Sequence, residues 1–135
     1  MRFALRSNLI WPLLLGASVI AASSRPVVSG LGFQGSDKVA HFAVYGLLGT
    51  LLCRVTGPGW RGAALSLATA SLFGATDEWH QSFVPGRDSD LMDWLSDSSG
   101  AALAVGLYCF VRPYRELLER GFSKGAKEAR DEQSS

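Results

Sequence analysis

The stretch Val39-Ala40-His41-Phe42-Ala43-Val44-Tyr45-Gly46-Leu47-Leu48-Gly49-Thr50-Leu51-Leu52-Cys53 has no continuous polar face at helical spacing. A soluble helix of this length shows one, because its outer side must meet water. Residues 9–22 and 101–111 are similarly apolar on all sides. A further run, residues 62–76, is built of Ala, Leu, Ser, Thr and Gly, small residues that let membrane helices approach closely. With residues 91–111 as the last run, each extends for about 15–20 residues, the length that crosses the apolar layer of a bilayer. The expected fold is all-α: an integral membrane bundle of about four transmembrane helices over residues 1–111. A charged cytosolic tail, residues 112–135, follows as a helix that frays into disorder.

The 135 residues suffice for one domain. Only 19% are charged, and they gather in short clusters between the apolar runs. A net charge of +1, with basic residues flanking apolar runs instead of forming a stripe, excludes a nucleic-acid surface. Cys53 and Cys109 have neither metal-site spacing nor a disulfide framework and are read as packing residues. Residues 23–36, with Pro26, Gly30, Gly32 and Gly35, read as a loop, and Gly57-Pro58-Gly59 and Pro85-Gly86 as turns. Arg2 and Arg6, the first apolar run and Ala21-Ala22-Ser23-Ser24 also have the layout of a signal peptide. The remaining runs favour an uncleaved first helix with Trp11 at the interface; Trp60, Trp79 and Trp94 are further interfacial anchors.

Basic residues set the orientation. Arg2 and Arg6, then Arg54 and Arg61, then Arg112, Arg115, Arg120, Lys124, Lys127 and Arg130 mark one side, against Arg25, Lys38 and Arg87 on the other. Both termini are therefore expected in the cytoplasm. This brings three polar clusters to one depth in the outer leaflet: Asp37, Lys38 and His41; Asp77, Glu78, His80 and Gln81; and Asp90, Asp93 and Asp97. Asp37 and His41 share a face that continues through Tyr45 and Leu48. Asp77 and Gln81 share one with Phe73, while Glu78 points about 100° away. Asp90, Asp93 and Asp97 head a stripe that continues through Gly100, Ala101 and Ala104, which suits a close helix contact. Carboxylates two turns into a membrane helix face the bundle interior or a wet cavity. The expectation is a polar pocket, open outward and lined by helices two, three and four.

Each group also has a structural reading. Asp37-Lys38 and Asp77-Glu78 are ordinary charges for a helix end; His41 pairs with Asp37 or a backbone carbonyl; His80 lies at the surface. Arg87 pairs with Asp88, Asp90 or Asp93 and ties the outer loop to helix four. As chemistry, several carboxylates with one His can bind a divalent cation through oxygen or share protons as acid and base. Arg87 and Lys38 can hold a phosphate or carboxylate. No Ser-His-Asp order, zinc spacing or glycine-rich phosphate loop is present.

Asp37-Lys38-x-x-His41-Phe42, Asp77-Glu78-x-x-Gln81-x-Phe83-x-Pro85-Gly86-Arg87 and Asp93-x-x-x-Asp97-x-x-Gly100, in this order, resemble the motifs of the VanZ-like family. These are small bacterial integral membrane proteins named after a teicoplanin-resistance protein. The resemblance covers about residues 37–106. It implies a multi-pass protein of the bacterial inner membrane and a tie to the cell envelope and to glycopeptide resistance, with no established reaction or cofactor. The third family motif often reads Asp-x-x-x-Asn, whereas Asp97 here replaces the amide with an acid.

The expected function is to bind or modify a cell-envelope component, a lipid-linked cell-wall precursor or a phospholipid headgroup. Asp77, Glu78, Asp93 and His41 are the candidate catalytic residues; Arg87, Lys38, Gln81, Asp37 and Asp97 the candidate binding residues. Membrane lipids or such precursors are the expected partners. No cofactor is assigned, a divalent cation being the one that the residues suit, and no oligomeric state follows from the pattern. The alternative is a non-enzymatic structural or partner membrane protein whose polar cluster fixes helix packing. A proton- or ion-coupled transporter ranks below both, since the acidic groups gather at one end and no repeat is visible.

Overall fold

A computed structural model describes residues 2–26 and 36–120. Among them every regular element is a helix: α1 Arg2–Ser23, α2 Ser36–Thr56, α3 Trp60–Gln81 and α4 Leu91–Phe110. A short α5, Arg112–Arg120, leaves α4 at an angle of 93°. Most of the predicted loop over residues 23–36, and residues 121–135 of the predicted tail 112–135, lie outside the described residues.

The helix ends follow from local chemistry. Gly57 and Gly59 take φ values of 87° and 103° between α2 and α3, a left-handed backbone that favours glycine. α4 begins at Asp90, whose Oδ1 accepts the Met92 N–H at 2.8 Å and so satisfies one of the orphan donors of the first turn. At the other end, Arg115 donates to the Tyr108 and Cys109 carbonyls at 3.1 and 3.2 Å, covering acceptors that the helix leaves open. Pro113 falls in the first turn of α5, where a missing N–H costs nothing. Glu119 then accepts from Arg54 Nε at 2.9 Å and from the Tyr108 hydroxyl at 3.1 Å, which folds α5 back toward the end of α2.

α2 and α4 form the most intimate pair. A methyl group placed on Gly100 would overlap the Phe42 carbonyl, and one on Gly49 would meet Ala101 O at 3.2 Å. This is the close contact that the Gly100–Ala101–Ala104 stripe predicts. Tyr45, Leu48, Ala70 and Ala101 form the core around the seam, with Leu15 and Val19 of α1 against it. Cys53, Val105, Tyr108 and Cys109 form a second cluster nearer α5. There the two free thiols pack against each other with Sγ atoms 3.5 Å apart.

The all-helical class matches the expectation among the described residues, which hold four long helices and the short α5; the expected four membrane spans are matched in part. One helix, Asp37–Thr56, is long and apolar enough to cross a membrane. Leu91–Phe110 with Arg112–Arg120 makes a second if the bent pair is counted as one span. The apolar part of α1, Asn8–Ser23, is shorter. In α3, Ser66, Thr69, Ser71 and Thr76, together with Asp77 and Glu78, hold the hydropathy down.

Gly100→Ala is expected to lower stability by about 1–3 kcal/mol through overpacking against backbone that cannot yield. Gly106→Ala meets nothing within 4 Å and should be neutral or gain up to about 1 kcal/mol from helix propensity. Thermal unfolding of the two variants in detergent checks the contrast; equal midpoints would contradict the seam.

Candidate functional site

The first turns of α2 and α4 and the last turns of α1 and α3 meet at one end of the bundle. Asp77 and Glu78 are adjacent in α3 and therefore look about 100° apart. The two carboxylates serve different surroundings.

Asp77 faces α1 and α2. It is 0% exposed; its Oδ2 accepts from Ser23 Oγ at 2.9 Å and from Gln81 Nε2 at 3.1 Å. Its Oδ1 is buried with no hydrogen-bond partner. Gln81 Oε1 in turn accepts from Arg87 at 3.1 Å. Arg87 also donates to the carbonyls of Arg25 at 3.2 Å and Ala22 at 3.3 Å. The expected pairing of Arg87 with Asp88, Asp90 or Asp93 is thus overturned. The end of α1 offers unsatisfied carbonyls, and Lys38 already occupies Asp90 and Asp93. A pocket of about 180 Å³ lies here, lined by Val19, Ala22 and Ser23 of α1, by Ala40, His41, Val44 and Tyr45 of α2, and by Asp77 and Arg87. α1 is therefore a wall of the pocket, which the sequence pattern places among α2, α3 and α4 alone.

Glu78 faces α4. It is 6% exposed, and its Oε2 accepts the Asp90 backbone N–H at 2.8 Å. Its Oε1 is buried without a partner. Lys38 bridges Asp90 Oδ2 at 2.7 Å and Asp93 Oδ1 at 2.6 Å. The ammonium of Lys38, helped by the Met92 N–H, holds the Asp90 carboxyl below its usual range. His41 Nδ1 lies 2.9 Å from Asp97 Oδ1, so its partner is Asp97 and not the expected Asp37 or a carbonyl. The reason is the α2–α4 seam, which sets His41 opposite α4. Asp97 is 0% exposed and its Oδ2 is unpaired. One donor atom each of His41, Glu78 and Asp93 lie within 4.8 Å of one another. The carboxylates and imidazole are thus close enough to share a proton or an ion.

Asp37 stays exposed in the first turn of α2 and joins no ion pair or hydrogen bond among the described residues. His80, expected at the surface, is half-buried and lies 3.0 Å from Ser24 Oγ, a further tie to α1. Trp60 and Trp79 are exposed as anchors would be, but Trp94 donates to Ser71 O at 3.0 Å between α4 and α3. Two participants are not among the candidate site residues, although Tyr45 lies on the face that the sequence assigns to His41. Tyr45 is buried with its hydroxyl unpaired, its ring parallel to that of His41 at 6.3 Å; its signal was the four-residue spacing from His41. Ser23 had no signal, since its partner lies 54 residues away.

The sequence matches the family described as VanZ/LLP1 over residues 5–112, a wider span than the three motifs because it includes α1. No curated protein and no solved structure gives a significant match.

Arg87→Lys is expected to loosen α1, because an ammonium cannot reach three acceptors as a planar guanidinium does. A charged hydrogen-bonding group of this kind contributes about 1.5–3 kcal/mol. Thermal unfolding should shift accordingly, with faster amide hydrogen exchange over residues 20–25; an unchanged midpoint and exchange rate would remove Arg87 as the clamp.

Proposed function

Because the chain belongs to the VanZ/LLP1 family, we propose that it is a multi-pass protein of the bacterial cell membrane that binds or modifies an envelope component. The component is a phospholipid headgroup or the polar head of a lipid-linked cell-wall precursor, and it enters the pocket beside Asp77 from the outer leaflet, both termini being cytoplasmic. The observation that carries this reading is the fully buried, partly unpaired carboxylate of Asp77 together with the guanidinium of Arg87 on the wall of one open pocket. The Tyr45 hydroxyl lies toward the Asp77 carboxylate, yet neither it nor Asp77 Oδ1 completes a hydrogen bond. Burying such atoms unpaired costs about 1–3 kcal/mol each, a cost that hydroxyl or ammonium donors of a ligand remove. Arg87 has five N–H donors and uses three in the bonds above, so it retains donors for an anionic group. A volume of about 180 Å³ suits a headgroup and is small for a whole drug-sized ligand.

The distribution of polarity supports a membrane setting. Asp77, Glu78, Gln81, Asp97, Ser66 and Thr50 are buried, while Leu13, Val39, Leu65, Leu72 and Leu103 are exposed. Polar residues inside and large apolar residues outside suit a helix bundle in lipid. In an enzymatic version Asp77, Glu78 and Asp93 supply acid/base carboxylates, His41 moves a proton, and Arg87, which lines the pocket, holds the anionic group.

A second reading has its own observation. The chain of bonds Ser23–Asp77–Gln81–Arg87–Ala22 fastens α1 to α3 and would serve a non-enzymatic structural or partner protein equally well.

The test uses purified chain in lipid, wild type beside Asp77→Asn, incubated with envelope lipids and lipid-linked precursors and read by mass spectrometry. The amide oxygen can still accept from Ser23 and Gln81, so the variant should fold. Wild type is expected to retain or convert one lipid class, with at least a ten-fold loss in the variant. Equal retention would sink the pocket as the binding site; an inert wild type beside an unfolded variant would establish the scaffold reading.

A further inference from the structure

We infer that His41, Glu78 and Asp93 hold one divalent first-row metal ion, of the Mn²⁺ or Zn²⁺ kind that accepts mixed nitrogen and oxygen ligands. This goes beyond the envelope reading and stands without it. The donor atoms, one from each of α2, α3 and α4, lie within 4.8 Å of one another. Ligands of one such ion sit about 2.0–2.2 Å from it, so two of them are at most about 4.4 Å apart. The three side chains need only small movements to close on an ion.

A second observation is independent of the clustering. Glu78 is buried, and after Oε2 has accepted the Asp90 N–H its Oε1 has no partner. An ion in the cluster supplies the missing positive partner. The surroundings fit a ligand set. Asp97 holds His41 by Nδ1 at 2.9 Å, which orients the ring and leaves Nε2 as the nitrogen for coordination. A carboxylate behind a ligating imidazole is the usual supporting arrangement. Lys38 binds Asp93 through Oδ1, so Oδ2 remains for the ion. Lys38 is also the cation that faces the cluster, and its charge opposes metal entry. Against that one ammonium stand the carboxylates of Glu78, Asp90, Asp93 and Asp97, so a divalent ion reduces the excess negative charge without overcharging the centre. The imidazole nitrogen favours a transition ion over Mg²⁺ or Ca²⁺. Three protein ligands leave a coordination position for water or an oxygen of a bound molecule.

The experiment uses full-length protein in detergent, stripped with chelator and titrated with MnCl₂ or ZnCl₂, with MgCl₂ as the contrast and no envelope lipid added. Bound ion per chain is measured after gel filtration, and the Mn²⁺ form is examined by electron spin-echo spectroscopy for nitrogen coupling. About one ion per chain is expected, with imidazole nitrogen coupling in wild type. Binding should weaken at least about ten-fold in Glu78→Gln and Asp93→Asn and stay unchanged in Glu116→Gln. Absence of a stoichiometric ion would overturn the inference, as would an ion lacking nitrogen coupling or one held equally by both variants. Should both variants misfold, wild-type stoichiometry and nitrogen coupling decide alone. Metal binding without lipid turnover, or the reverse, separates this inference from the envelope reading.

Discussion

The backbone approach of α2 to α4 at Gly100 is the constraint from which the polar end follows. With no side chain at that position, Phe42 can bring its carbonyl against α4. His41 is the residue before Phe42, and Asp97 lies one turn before Gly100. Closing the seam therefore presents the imidazole to the carboxylate and fixes the depth at which Lys38 meets Asp90 and Asp93. Any side chain at position 100 would push the helices apart and lengthen these polar contacts together. Packing and site chemistry share one cause here.

α3 divides the site because two acids occupy consecutive positions. Asp77 belongs to a network that includes α1, the pocket and Arg87; Glu78 belongs to the start of α4 and the group around His41. His41 is the link, since it lines the pocket and also lies against Asp97 and the acidic group. Buried carboxylates in such numbers destabilise a fold unless each finds protons, donors or cations. Lys38, Ser23, Gln81, Met92 N–H and Asp90 N–H satisfy several of the oxygens. The unpaired ones are Asp77 Oδ1, Glu78 Oε1 and Asp97 Oδ2; Asp77 lines the pocket and Glu78 belongs to the group around His41. That selective incompleteness points to function more strongly than the presence of acids.

Much of this was legible from periodicity. The apolar runs marked the four long helices, and the Asp93–Asp97–Gly100–Ala101 stripe marked the face of α4 that packs closely. The divergence of Asp77 and Glu78 follows from 100° per residue alone. The direction of Arg87, the partner of His41 and the share of α1 were not legible. Each depends on which helices sit side by side, and the contacting pairs are 56 to 65 residues apart. No local period encodes such neighbours. Arg87 illustrates the point: sequence proximity to Asp88 and Asp90 suggested one partner, while the open carbonyls at the end of α1 offered better ones. The sharp turn into α5 was equally hidden, because it is held by Arg54 and Tyr108 meeting Glu119.

The polar fastening of α1 has a bearing on how the protein is assembled. α1 is made first, yet Ser23 must wait for Asp77, 54 residues later, and the carbonyl of Ala22 for Arg87, 65 residues later. At roughly 5–20 residues per second of synthesis, the first delay is roughly 3–11 seconds. During that interval α2 can already stand beside α1, but the pocket has only one side and the carboxylate that will anchor α1 does not yet exist. α1 thus precedes its partners in synthesis yet is locked only after them, and the site is completed only after α3 and the turn carrying Arg87 have been made.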